Sequence, residues 1–123
     1  MSKIERFEDL KCWQAARRMV KEVFLVCEHG RLAKDFETRG QFKQAALSAM
    51  NNIAEGFGRY HLKDSLRFYD ISQSSTLEVQ SMLYSLVDVS YLSEEKAEDI
   101  RRIAEETKNL TLGLIKYVSN KTR

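Results

Sequence analysis

The 123-residue sequence contains no proline. Because proline interrupts the interior of α-helices, its absence permits long uninterrupted ones. No apolar run approaches the roughly 18 residues that cross a bilayer, and the polar first residues, MSKIERFEDLK, do not resemble a signal peptide. These absences predict a cytoplasmic protein that is not inserted in a membrane.

Residues suited to catalysis or metal binding are also few. Histidine occurs only at His29 and His61, and neither has a cysteine or carboxylate at the spacing of a metal site. A helical ribonuclease would carry an arginine at least one turn before a histidine on the same helix, whereas Arg59 lies only two residues before His61, at a predicted helix break. No Gly-x-x-x-x-Gly-Lys phosphate loop is present. We expect no enzymatic activity, no metal and no cofactor.

The two cysteines, Cys12 and Cys27, fall on one predicted helix. Their separation along that helix is on the order of 20 Å, which is beyond the reach of a disulfide. We expect both to be unpaired, buried and kept in a reducing compartment.

Composition and length are those of a single globular domain covering residues 1–123, with 43% hydrophobic and 31% charged residues. The formal net charge of +2 does not by itself indicate nucleic-acid binding. The charge is unevenly distributed, since residues 1–67 carry 13 basic and 9 acidic residues and residues 68–123 carry 7 and 9. The first half of the chain therefore has a mild basic bias.

Hydrophobic periodicity predicts four helices. They are expected at Glu8–Glu28, Arg39–Phe57, from Leu62 or Asp64 to Val89, and from an N-cap at Ser93 onward. The acidic residues at the start of the first helix suit the helix dipole there. Short connections between four helices favour an all-α, antiparallel up-down-up-down four-helix bundle.

The second helix carries the most distinctive segment, KQAALSAMNNIAEGFGR at residues 43–59. Its inward seam is expected to consist of the apolar positions spaced three or four apart, namely Phe42, Ala46, Ala49 and Ile53. Gly56 and Gly58 are expected to end the helix in the left-handed conformation that glycine adopts easily.

Two carboxylates are predicted to lie against the core, where an unpaired charge is costly. For Glu55 the candidate partners are Arg59, Arg67 and the indole N–H of Trp13. Glu78 lies between apolar residues of the third helix, and its carboxylate would likewise need a partner. We interpret both, together with Asn52, as parts of a structural network.

The third helix is apolar on more than one face, which exceeds what one helix of a monomeric bundle buries and favours self-association. The small residues of Ser72–Thr76 are expected to let the alanine-rich second helix pack closely.

Basic residues form local clusters that could contact phosphate groups. The first cluster, on the outer side of the first helix, consists of Arg17, Arg18 and Lys21. The second surrounds the start of the second helix and consists of Lys34, Arg39 and Lys43. The third surrounds the end of that helix and consists of Arg59, Lys63 and Arg67. None is accompanied by the exposed aromatic residues of a single-strand binder.

Three segments resemble the bacterial four-helix-bundle proteins encoded within intervening sequences of 23S ribosomal RNA genes. They are FEDLKCWQAA (7–16), QAALSAMNNIAEGFGR (44–59) and RFYDISQSSTLEV (67–79). The matching motif positions include Trp13, Asn52, Glu55, Gly56 and Glu78. Lys43-Gln44 departs from the paired arginines that members often carry. The resemblance implies a ring-like homo-oligomer, a pentamer, and similar bundles are retroelement accessory proteins that bind a reverse transcriptase and nucleic acid.

Two functional hypotheses follow. The first is a non-enzymatic, oligomeric bundle that associates with RNA or DNA through basic outer surfaces, for which the candidate residues are Arg17, Arg18, Lys21, Lys43, Arg59, Lys63 and Arg67. The alternative is an oligomeric scaffold that docks a protein partner and has no nucleic-acid role.

Overall fold

The computed structural model describes residues 3–122. Its elements are α1 (Lys11–Val26), α2 (Phe36–Phe57), α3 (Leu62–Asp88) and α4 (Glu94–Lys121), with 3₁₀ turns at Phe7–Asp9 and Leu32–Lys34. No β-strand occurs within residues 3–122. The predicted all-α class is confirmed.

The helices form a four-helix bundle, in which each helix packs on its neighbours in the chain and α1 also packs on α4. At the α2–α3 seam, residue pairs run in opposite order along the two helices. Ser72 contacts Ala49, whereas the earlier Tyr69 faces the later Gly56. The helices α2 and α3 are therefore antiparallel.

The predicted seam of α2 is confirmed, since Phe42, Ala46, Ala49 and Ile53 are all fully buried. The expected close packing of α3 on this seam is also observed. Ser72 Oγ donates to the backbone oxygen of Ala49 at 2.7 Å. These small side chains fill the seam and satisfy their own hydroxyl groups, so the backbones can approach closely.

A second hydrogen-bonded pair lies farther along the same seam. The hydroxyls of Ser48 and Ser75 are 2.7 Å apart, and Asn52 Nδ2 donates to the backbone oxygen of Ser48 at 2.8 Å. Asn52 therefore belongs to a structural network, as predicted.

Two helix starts differ from the prediction. The first helix begins at Lys11 because Glu8 and Asp9 form a separate 3₁₀ turn, followed by Leu10 in an extended conformation. The second begins at Phe36 because Asp35 acts as its N-cap, with Oδ1 accepting from the Thr38 backbone N–H at 3.1 Å. The predicted N-cap at Ser93 is confirmed, because its hydroxyl accepts from the Lys96 N–H.

The helix α2 ends at Gly58, as predicted, but the left-handed conformation predicted for the two glycines is wrong. Gly58 has a φ of −80°, and Gly56 lies buried inside the helix. A β-carbon at position 56 would lie 2.6 Å from Cε1 and 2.9 Å from Cδ1 of Tyr69, and 3.1 Å from Cβ of Phe68. Glycine is required at this position because α3 approaches it closely. A left-handed conformation is found instead at Gly30, with a φ of 60°, where the first helix was predicted to stop.

In Gly56→Ala the added methyl overpacks the Tyr69 ring, which costs about 1–3 kcal/mol. After subtraction of the roughly 1 kcal/mol that alanine gains over glycine within a helix, we expect a net destabilisation of up to about 2 kcal/mol. Urea denaturation measures the difference. The control is Gly113→Ala in α4, where a β-carbon meets nothing within 4 Å, and a stabilisation of up to about 1 kcal/mol is expected. Equal stabilisation by both substitutions would show that the α2–α3 approach is not tight.

Candidate nucleic-acid interface

The outer face of α1 is the most uniformly cationic helical surface. Its exposed residues are Lys11, Arg17, Arg18, Lys21 and Leu25. The opposite face is buried in the bundle by Cys12, Ala15, Ala16, Met19, Val23 and Val26. Helical periodicity therefore presents four cations along roughly 15 Å of helix. We call these four residues the α1 cationic face.

The predicted group of Arg17, Arg18 and Lys21 lies together on this face, but its members have different partners. Arg18 Nη2 donates to both carboxylate oxygens of Glu106 in α4 at 2.7 Å. The Arg17 guanidinium lies 5.7 Å from the centre of the Trp13 ring. No ion pair involves Lys21 among the residues that the structure describes. Arg17 and Lys21 therefore keep their charge available for an anionic ligand, whereas Glu106 offsets that of Arg18.

The second predicted group lies at the α2–α3 joint. The guanidinium carbons of Arg59 and Arg67 are 4.3 and 4.6 Å from the centre of the Phe68 ring. Both arginines share Asp64, which lies 4.0 Å from Arg59 Nε and 3.0 Å from Arg67 Nη2. Lys63 is exposed and has no ion pair within residues 3–122. One carboxylate therefore offsets part of the charge of this cluster.

Lys43 lies apart from the joint, on the seam between α1 and α2. Its ammonium nitrogen is 4.7 Å from the centre of the Phe24 ring, and the residue is half-buried. The candidates thus form two clusters and one separate lysine. Sequence reasoning missed Lys11, although its spacing of seven from Arg18 places it on the same helical face.

The two carboxylates of the motif do not lie against the core, which corrects the prediction. The Glu55 side chain is 58% exposed, and its contact with Arg59 Nη2 is long, at 3.9 Å. Glu78 is also exposed and accepts from Gln41 Nε2 at 3.4 Å. An exposed carboxylate keeps its hydration, so neither needs a buried partner. Trp13 instead packs edge-on against Phe7, with ring centres 5.1 Å apart.

The thiols are free and buried, as predicted. Burial raises the pKa of Cys12 to about 11, and burial also raises the pKa of Cys27. Both thiols are therefore protonated at neutral pH, and a protonated thiol is a poor nucleophile.

No group of three or more histidine, cysteine, aspartate or glutamate residues in the described part of the chain is placed to hold a metal ion. From residue 3 to residue 122, no helix has both the length and the apolar character needed to traverse a lipid bilayer.

Comparison with solved structures finds a crystal structure of a protein with unknown function from the S23 ribosomal protein family of Bacteroides thetaiotaomicron. The two chains are 18% identical, with a TM-score of 0.77, and the match covers 85% of this chain and 98% of the other. At this identity the likeness shows a shared fold. No curated protein matches the chain. The model of the 23S rRNA-intervening sequence protein family matches residues 8–113, and the chain therefore belongs to that family.

Proposed function

We propose that the protein is a non-enzymatic, oligomeric bundle that associates with nucleic acid through the α1 cationic face. One observation carries the proposal: apart from Leu25, every exposed residue of α1 is a lysine or an arginine. Positive side chains along one face contact successive phosphates without reading sequence. We take structured RNA as the first ligand to test.

Oligomerisation strengthens this proposal, because a single bundle presents few free cations. When several copies of a weak site are joined, the later contacts form at high effective concentration, and overall affinity rises without new interactions. A homo-oligomer would repeat the α1 cationic face in each copy. The formal charge of +2 per chain would then be multiplied by the number of copies.

The outer face of α3 supports self-association. Ile71, Leu77 and Tyr84 are 40%, 52% and 62% exposed on this helix. Ser74 and Ser81 are also exposed there, together with the charged Asp70 and Glu78, so the face combines larger apolar groups with small and acidic residues. We propose that this face is shared between copies in a ring-like homo-oligomer, with the pentamer as the first assembly to test.

The second candidate is an oligomeric protein-interaction scaffold without a nucleic-acid role. The mixed charge of α4 favours it, because exposed Glu95 and Glu105 lie on the same helix as exposed Lys96 and Arg102. A surface with charges of both signs suits a protein partner better than a phosphate backbone. Such a scaffold would retain one stoichiometric protein partner after nuclease treatment.

Reversing charge on α1 tests the nucleic-acid proposal. The double substitution Arg17→Glu and Lys21→Glu is expected to weaken RNA binding at least tenfold at low salt, because it removes two phosphate contacts and adds two repulsive charges. The plot of log affinity against log salt has a negative slope, and its magnitude should decrease by roughly 1.4 to 1.8 when those two contacts are lost. Fluorescence anisotropy with a labelled structured RNA, titrated at several salt concentrations, measures both.

The matched control carries the same charge change on α4, as Lys96→Glu with Arg102→Glu, and both residues are exposed there. We expect this variant to lose less affinity than the α1 variant. If both variants weaken binding equally, net charge and not the α1 face determines affinity. Absence of binding at low salt with the oligomer intact would reject the proposal.

Light scattering tests the proposed self-association. The double substitution Leu77→Glu and Tyr84→Glu is expected to reduce the measured mass to that of the monomer, because it places two charges in the proposed interface. Both residues are exposed within one chain, so circular dichroism should show an unchanged helical fold. The control is Leu112→Glu, at an exposed apolar position of α4. A wild-type protein that is already monomeric at micromolar concentration would contradict the interpretation of the α3 face.

A further inference from the structure

A cavity of about 830 Å³ lies at the end of the bundle where α2 ends, α3 begins and α4 ends. Its apolar wall includes Leu10, Phe57, Leu114 and Val118. The volume falls within the roughly 300–1,000 Å³ of typical small-molecule sites. The cavity is separate from the α1 cationic face, since none of the four cations of that face lines it.

The charged residues of the lining all have one sign. They are Lys3, Arg59 and Lys121, which come from three different parts of the chain, and no aspartate or glutamate lines the cavity. Arg59 has only long contacts with carboxylates, at 3.9 Å to Glu55 and 4.0 Å to Asp64. The Lys121 ammonium lies 5.1 Å from the centre of the Tyr117 ring and forms no ion pair within residues 3–122. The potential in the cavity therefore favours an anion.

One polar group in the lining has no hydrogen-bond partner in the described part of the chain. The Tyr69 side chain is only 2% exposed, and its hydroxyl forms no hydrogen bond with any residue from 3 to 122. This oxygen is not among the fully buried atoms without a partner, so it keeps access to the cavity. Burial raises the pKa of this phenol to about 12, so the hydroxyl keeps its proton at neutral pH and can donate. A hydroxyl that borders the cavity is hydrated when no ligand is bound, and a ligand oxygen would replace that water as its acceptor.

We infer that this cavity binds a small amphiphile that has an apolar body and one anionic head group, a carboxylate or a phosphate. The body packs against Leu114 and Val118, and the head group lies toward Arg59 and Lys121. An oxygen of the ligand accepts a hydrogen bond from the Tyr69 hydroxyl. This inference does not depend on nucleic-acid binding.

Isothermal titration calorimetry of the full chain tests the ligand class. The probes are decanoate and decyl phosphate, each below its micelle-forming concentration, with decanol and decyltrimethylammonium as controls for charge. We expect saturable binding of at least one anionic probe at one site per chain, at least tenfold tighter than that of either control, because only the anionic heads match the cations. Comparing the two anionic probes distinguishes a carboxylate ligand from a phosphate ligand.

Three variants locate the site. Lys121→Glu is expected to weaken binding of the anionic probe about tenfold or more, whereas Lys116→Glu makes the same charge change on α4 outside the cavity and should leave it within about twofold. Tyr69→Phe removes only the unpaired hydroxyl and is expected to weaken binding by roughly two- to tenfold, as the loss of one hydrogen bond implies. Because this hydroxyl has no partner in residues 3–122, the variant should keep its thermal stability.

Several results would overturn the inference. Failure of both anionic probes to bind the full chain is one. Equal binding of the cationic and anionic probes would indicate non-selective apolar association, and equal weakening by both lysine substitutions would indicate a general charge effect. Binding that appears only after removal of residues 1–2 would identify the chain's own terminus as the occupant, and one site per two chains would indicate that a second copy completes the cavity.

Discussion

The close approach of α2 and α3 is the constraint on which the rest of the bundle depends. It is possible because the facing positions carry alanine, serine and glycine, and because the Ser72 hydroxyl donates a hydrogen bond to the carbonyl oxygen of Ala49. Gly56 extends the approach to the end of the seam, where the Tyr69 ring lies over its α-carbon. A bulkier residue at these positions would separate the helices and leave hydroxyl groups without partners.

This packing determines what α3 presents to solvent. Since its inner face is built from small residues such as Ser72, Ser75 and Thr76, part of the large apolar content of the helix falls on the outer face. Leu77 and Tyr84 are exposed for this reason. The excess apolar character that is visible in the sequence thus accompanies the close α2–α3 packing, and the exposed part of it forms the face that we propose is shared between copies.

Local features of the structure could be predicted from the sequence, whereas features set by tertiary contacts could not. The seam of α2 and the extent of α3 follow from periodicity, which is a property of neighbouring residues. The sequence predicts Glu55 against the core because this residue lies beside that seam, but how far burial extends around a helix depends on the partner helix. The position of Gly56 predicts a helix terminus, but a glycine near a helix end serves equally well as a point of close approach.

The α1 cationic face likewise combines features that are predictable from local sequence with features that depend on tertiary contacts. Helical spacing places Arg17, Arg18 and Lys21 together, yet the partner of Arg18 is Glu106, 88 residues away, and no local pattern reveals it. This pair also joins the cationic face of α1 to α4, whose exposed charges are of both signs. At physiological ionic strength, charges are screened beyond about 8 Å, which is close to the roughly 8–10 Å between packed helix axes. If a phosphate binds Arg17 and Lys21, as we propose, it experiences mainly the local cations, and the small net charge of the chain does not argue against the proposal.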